Sequence, residues 1–207
     1  MRTSAITALI MTSIIAGSGA RAASLAEGAA AYGHLDFHAA REILMPLAAE
    51  GDPGAQAILG DMYLYGRGVP LNSFLAAKWY RSAAVRGEAR AQQRLGQLYL
   101  RGRGINQDYD LAVRWFRAAA DQGNPDAQFC LGSLYATGEG VERDVVAAHM
   151  WLSLAAINGT SDLAARDRDL VARRMSPAEL SQAVRLAGEW RARPVSPPQD
   201  DRRAGGQ

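Results

Sequence analysis

Residues 87–122 read GEARAQQRLGQLYLRGRGINQDYDLAVRWFRAAADQ, and the chain repeats this pattern on both sides of them. The preceding segment, 51–86, reads GDPGAQAILGDMYLYGRGVPLNSFLAAKWYRSAAVR, and the following one, 123–158, reads GNPDAQFCLGSLYATGEGVERDVVAAHMWLSLAAIN. The three units align without gaps at a period of 36 residues. A period between about 20 and 50 residues is typical of solenoids, propellers and arrays, so this repeat decides the fold.

All three units share large apolar residues and glycines at fixed positions. They are Leu59, Gly60, Tyr63 and Trp79, then Leu95, Gly96, Tyr99 and Trp115, then Leu131, Gly132, Tyr135 and Trp151. Because the leucine and the tyrosine stand four residues apart, they lie on one face of a predicted first helix. The glycine beside them lets a partner helix come close. A pair of glycines then ends this helix, since a left-handed turn favours residues without a Cβ atom.

The second half of each unit predicts a second helix. Asn72, Asp108 and Asp144 stand at its expected N-cap, where a side-chain oxygen accepts a hydrogen bond from the first turn. Alanines stand three residues before each tryptophan and four residues after it, which gives the helix one buried stripe. We therefore predict that the shared tryptophans belong to the core and do not stack on sugars.

The units combine A-Q-x-x-L-G-x-x-Y-x-x-G-x-G-[VI] with A-x-x-W-[YF]-x-x-A-A, and this combination resembles the Sel1-like repeat, a relative of the tetratricopeptide repeat. The resemblance covers 51–158, and the third unit departs from it at Leu152, which follows its tryptophan. It implies an all-α fold, a right-handed α-solenoid of stacked antiparallel helix pairs. Such solenoids hold other molecules on a concave groove.

The flanking segments predict incomplete copies of the unit. Residues 23–50 form a degenerate N-terminal repeat, whose second helix starts at Phe37. Residues 159–192 form C-terminal capping helices, the last of them opened by a capping box at Ser176. The tail, 193–207, has almost nothing to bury and is predicted to be disordered.

The N-terminus predicts a cleaved signal peptide over residues 1–22. Arg2 precedes an uncharged apolar run from Ala5 to Ala16, and Ala20 and Ala22 provide the small residues of a cleavage site. This run of 12 residues is shorter than the roughly 20 that span a bilayer, so we expect no stable membrane insertion after cleavage. We therefore expect a periplasmic or secreted protein.

Charge and cysteine content narrow the function classes. Without the signal peptide, 21 basic and 21 acidic residues remain. The net charge is then zero, so no overall electrostatic attraction favours binding to nucleic acid. Cys130 is the only cysteine, which excludes an intramolecular disulfide. His34 and His38 have the spacing of a metal pair but lack an HExxH context, so we expect no metal, no cofactor and no catalytic residue.

The tetratricopeptide register implies which side chains face the concave groove. The predicted contact residues are Asp61, Leu64 and Tyr65 in the first unit, Gln93, Gln97, Leu100 and Arg101 in the second, and Phe129, Ser133 and Thr137 in the third, with Ala57 and Ala136 at equivalent positions. This mixed polar and apolar surface suits an extended peptide or a partner helix. Tyr65 and Arg101 are of residue types enriched at binding hot spots.

The resemblance implies a non-enzymatic scaffold, adaptor or regulator of the bacterial cell envelope that binds a protein partner. Two alternatives stay open at this point. One is an accessory protein that binds peptidoglycan or polysaccharide. The other is a cell-wall or β-lactam hydrolase, a role suggested for relatives with a disulfide in each repeat, which the single Cys130 does not match.

Overall fold

The structure is a computed structural model that describes residues 24–159, 162–193 and 198. The predicted signal peptide and nearly all of the predicted disordered tail lie outside these residues. Residues 24–33 form α1. The helices that follow are α2 (Phe37–Ala49), α3 (Pro53–Tyr65), α4 (Ser73–Ala84), α5 (Ala89–Arg101), α6 (Tyr109–Asp121), α7 (Pro125–Thr137), α8 (Val145–Asn158), α9 (Asp162–Ala172) and α10 (Pro177–Glu189). The described residues contain no strand, which confirms the all-α fold.

Each of the three units holds one helix pair, which is α3 with α4, α5 with α6, and α7 with α8. The predicted caps Asn72, Asp108 and Asp144 all accept hydrogen bonds from the first turns of the second helices. The first helix of the second unit lacks the Asx-Pro start of the other two, and Glu88 caps it instead. Each cap contributes on the order of 1 kcal/mol.

Glycines allow the two helices of a unit to pack closely, as predicted. A Cβ atom on Gly60 would lie 2.5 Å from a ring carbon of Tyr80 on the partner helix. The same construction on Gly96 gives 2.9 Å to the Phe116 ring, and on Gly132 it gives 2.8 Å to Cγ of Leu152. Such distances are too short for a Cβ atom, so a larger residue here would force the partner side chain or its helix to move.

The glycine pair after each first helix turns the chain and also joins it to the preceding unit. Gly102 adopts a left-handed φ of 63°, which confirms the predicted C-terminal cap. A Cβ atom on Gly104 would lie 2.3 Å from the carbonyl oxygen of Ser73, at the start of the preceding second helix. The turn therefore packs directly against the backbone of the preceding unit.

Glutamines tie successive units together. In each unit the glutamine after the first shared alanine donates its Nε2 to a carbonyl oxygen at the end of the preceding helix. The three bonds run from Gln56 to Ala48 at 3.0 Å, from Gln92 to Ala84 at 3.1 Å, and from Gln128 to Ala120 at 3.2 Å. A buried amide is stable when its polar atoms are paired, so this repeated bond fixes the stacking of one unit on the next.

The tryptophans occupy different depths in the core. Trp115 and Trp151 are buried, as predicted, in a core that runs through all three units. Trp79 is half-buried, since it packs against the smaller core formed with the degenerate N-terminal copy. The indole rings of the second and third units are therefore inaccessible to a sugar.

The two C-terminal helices pack mainly against the last helix of the third unit. Both α9 and α10 pack against α8. The ring of Trp190, just after α10, meets the Trp151 ring edge-on at 6.3 Å between centroids. The backbone N–H of Arg193 then donates to the carbonyl oxygen of Asp121 at 2.8 Å. This segment folds back because it covers the last tryptophan of the repeat.

Candidate functional site

The first helices α3, α5 and α7 carry the side chains that the repeat register assigns to partner contact. Tyr65, Arg101 and Thr137 occupy the same position in successive units, and all three are exposed. Gln97, Leu100, Phe129 and Ser133 are half-buried, as is Ala136. We call the exposed and half-buried residues of this set the first-helix surface.

Four predicted contact residues, Ala57 among them, are buried, so their assignment to the surface is wrong. Asp61 is 0% exposed, Leu64 is 4% exposed and Gln93 is 2% exposed. Leu64 packs into the main core together with Ala57. The first helix of the next unit packs alongside, since α3 contacts α5 as well as α4. These side chains are therefore not available to a partner.

Asp61 is the centre of a buried polar network at the junction of the first and second units. The Tyr80 hydroxyl donates to its Oδ1 at 2.6 Å, and Arg90 donates to its Oδ2. The Nε of Arg94 lies 3.4 Å from Oδ1. Burial, and the negative charge of Asp61, raise the pKa of Tyr80 far above its ordinary value, so this phenol remains a donor. A buried carboxylate needs such partners, which explains the network as scaffold.

An aromatic and cationic patch lies at the N-terminal end of the first-helix surface. Arg67 donates from Nη1 to the Tyr32 hydroxyl at 2.8 Å. Its guanidinium carbon stands 5.1 Å from the centroid of the Tyr65 ring and 5.7 Å from that of Phe37. Burial raises the pKa of Tyr32 even though the Arg67 hydrogen bond opposes this shift. Sequence reasoning missed Tyr32 and Phe37 because they belong to the degenerate copy.

A cavity of about 290 Å³ opens at the other end, between α7, α8 and α9. Its lining includes Ser133, Ala136 and Thr137, which the register predicts as contact residues. The remaining walls come from α8 with the turn before it and from α9 with the turn after it. The repeat signature could not predict the α9 side, because α9 lacks the Leu-Gly and Tyr positions that set the register.

The titratable groups of the kinds used in metal binding or catalysis are dispersed over the described residues. Within the described ranges, no three side chains of His, Cys, Asp or Glu lie close enough together to hold a metal ion. His38 is exposed beside Glu42, and His149 is buried in α8. Burial raises the pKa of the Cys130 thiol to about 11, so the thiol is protonated at neutral pH. No described helix has the length and apolar character needed to cross a bilayer.

The chain is similar to known repeat proteins. The Sel1 repeat model matches residues 53–87, 89–124 and 125–160. The crystal structure of a Sel1 repeat protein from Oxalobacter formigenes shares 35% identity and a TM-score of 0.65, over 70% of this chain and 59% of that one. A protective antigen of uropathogenic Escherichia coli strains, which displays an SLR fold, shares 35% identity and a TM-score of 0.68, over 73% of this chain and 32% of the antigen.

The chain thus spans about three fifths of the first relative and one third of the second. No curated protein sequence matches the chain. The matched repeats cover more than half of the sequence. Members of this group are generally helical scaffolds for protein–protein interaction and are typically non-enzymatic. The chain belongs to the Sel1 repeat family.

Proposed function

We propose that this protein is a non-enzymatic adaptor or regulator of the bacterial cell envelope that binds a peptide or helix of a protein partner along its first-helix surface. One observation carries the proposal. Tyr65, Arg101 and Thr137 are equivalent in the repeat and all exposed, yet each unit has a different residue there. The residues that the units share are instead mostly buried. The buried residues are therefore nearly the same in all three units, whereas the exposed residues differ from unit to unit.

The chemistry of this surface fits a protein partner. Tyr65 is 43% exposed, so a large part of its ring is available for contact. Within the described part of the chain, Arg101 forms no ion pair, and Leu100 and Phe129 offer half-buried apolar area nearby on the same helices. Aromatic and arginine side chains are enriched at the centres of protein interfaces.

The envelope location rests on the predicted signal peptide over residues 1–22. Fusing alkaline phosphatase after the last residue tests it, because this enzyme is active only after export. We expect activity from the full chain and none from a chain that starts at residue 23. Equal activity of the two fusions in a fractionated cell would contradict export.

A site-specific photocrosslinker tests the partner-binding surface. We would place it at position 101 on α5 and, as the control, at position 78 on α4, since Arg101 and Lys78 are both exposed basic residues. We expect a discrete crosslinked partner from position 101 and none from position 78. Crosslinking from position 78 alone would move the binding surface to the second helices and refute the proposal.

A further inference from the structure

We propose that the cavity between α7, α8 and α9 binds an apolar side chain of the partner, with a neighbouring carboxylate held by Arg143 and Arg174. The inference rests on the proposed function, because it names the chemistry of the segment that the first-helix surface accepts. The occupant is an extended stretch of a partner protein in which an aliphatic or aromatic residue adjoins Asp or Glu.

The cavity lies where the third unit carries less side-chain bulk than the other two units. The residue after each tryptophan is Tyr80 in the first unit, Phe116 in the second and Leu152 in the third. The two aromatic rings are fully buried at their own junctions. Gly132 remains opposite Leu152, as Gly96 is opposite Phe116. The third unit therefore keeps the glycine that admits a ring but carries a smaller side chain.

A second position loses bulk at the same junction. Leu64 is buried in the core, and Leu100 is half-buried and packs against it. The equivalent residue in the third unit is Ala136, which lines the cavity. Protein interiors normally pack without voids. At this junction two side chains are smaller than their equivalents in the other units, and α9 does not fill the space that they leave. Another group can therefore occupy it.

The walls of the cavity suit an apolar side chain. Leu152 forms a buried wall, Val145 and Val171 are half-buried, and Leu170 is 56% exposed at the rim. The volume, about 290 Å³, lies just below the range of about 300–1,000 Å³ that holds whole small ligands. It is better matched to one or two side chains of a peptide.

The charged groups at the rim favour an acidic residue next to that apolar side chain. Arg143 and Arg174 line the cavity and are exposed, and neither has a carboxylate partner among the described residues. Asp167 is the acidic residue of the lining, so the cavity carries two guanidinium groups against one carboxylate. Guanidinium groups bind carboxylates through two parallel hydrogen bonds, so an acidic residue of the partner completes the balance.

A random peptide library displayed on phage and selected on the full chain tests this inference. We expect enrichment of peptides in which Leu, Ile or Phe adjoins Asp or Glu. Two filling variants, Ala136→Leu and Leu152→Phe, introduce residues that the other units already hold at these positions, so each should fold. We expect each variant to bind the selected peptides at least about tenfold more weakly than the wild type does.

Charge variants test the carboxylate contact. Arg143→Gln and Arg174→Gln should remove the preference for acidic peptides, whereas Arg173→Gln is the matched control, since Arg173 is exposed in the same segment but does not line the cavity. Melting temperatures confirm that every variant folds. Equal peptide binding by the wild type and the folded filling variants would overturn the inference, as would selection without acidic preference or no selection at all.

The outcomes separate this inference from the proposed function. If the partner crosslinks from position 101 but filling the cavity leaves its capture unchanged, the first-helix surface binds the partner and the cavity does not. If Ala136→Leu instead changes the particle mass in light scattering, the cavity accommodates a second copy of the chain, and the inference is overturned.

Discussion

Replacing Asp61 by alanine should be among the most destabilising single changes at the unit junctions. Its carboxylate is 0% exposed and has three partners, Tyr80, Arg90 and Arg94. Removing it leaves the buried Tyr80 hydroxyl without an acceptor and the half-buried Arg94 without a counter-charge. Breaking a buried ion pair in this way costs about 3–5 kcal/mol. Arg90→Ala should cost less, about 1–3 kcal/mol, because Arg90 is 48% exposed and the buried Asp61 keeps Tyr80 and Arg94 as partners.

The coupling between Asp61 and Tyr80 gives the sharper test. Tyr80→Phe alone should cost about 1–2 kcal/mol for one hydrogen bond. In the double variant Asp61→Ala/Tyr80→Phe, no hydroxyl is left unpaired, so its cost should be smaller than the sum of the single costs by about 1–3 kcal/mol. The second unit already carries Phe116 and the uncharged Gln97 at the equivalent positions, so a unit without this carboxylate and hydroxyl still folds.

Urea unfolding followed by circular dichroism measures these free energies. Gln97→Ala is the matched control, since Gln97 holds the same position in the second unit but is half-buried, and it should cost less than about 1 kcal/mol. Strictly additive costs for Asp61 and Tyr80 would refute the buried network as a stabilising unit, and so would an Asp61→Ala variant as stable as Gln97→Ala.

Three further changes have defined outcomes. Trp115→Ala empties a site that is 0% exposed and should lower the free energy of unfolding by about 3–5 kcal/mol in urea, whereas near-wild-type stability would place the indole outside the core. Gly96→Ala should cost about 1–3 kcal/mol because its Cβ would meet the Phe116 ring, while Gly188→Ala, in open space on α10, should not lower the melting temperature. Burial lowers the pKa of His149 from 6.5, so the unfolded chain takes up this proton at a higher pH than the folded one. Stability should therefore fall as the pH drops below about 6.5, and His149→Gln should lose this part of the pH dependence of the urea midpoint.

The sequence predicts those parts of the fold that depend on short-range chemistry. The helix pairs, the caps at Asn72 and Asp108, and the left-handed Gly102 all follow from residues within one unit. The close approach at Gly60 also follows, because a missing side chain beside a helix face has the same meaning in every unit. Periodicity repeats each local signal three times, and this repetition makes the pattern unambiguous.

The candidate site is less predictable because it depends on contacts between units. The register places Asp61 and Gln97 at equivalent positions, yet one is buried and the other half-exposed, since only Asp61 meets arginines from the following unit. The return of α10 onto α8 depends on Trp190 reaching Trp151, a tertiary contact without a local signature. The cavity likewise forms only where α9 packs, so no single segment encodes it.

The glutamine side chains that link the units are fully hydrogen-bonded at two junctions but not at the first. At the last two junctions, the oxygen of the glutamine also accepts a bond, from Gln122 to Gln92 at 2.7 Å and from Asn158 to Gln128 at 3.3 Å. At the first, Arg86 takes the equivalent place and donates to the carbonyl oxygen of Gly51. The oxygen of Gln56 is therefore left buried without a partner in the described structure.

A solenoid behaves as a row of modules coupled to their nearest neighbours, so its weakest coupling decides where it opens. Among the three junctions that the glutamine bonds span, the incomplete bond places the weakest coupling between the degenerate copy and the first unit. Under tension or brief thermal fluctuation, α2 should detach before any complete unit separates, and its amide protons should exchange with deuterium ahead of those in α5 and α6. We therefore expect the N-terminal copy to open first, while the three complete units stay packed together.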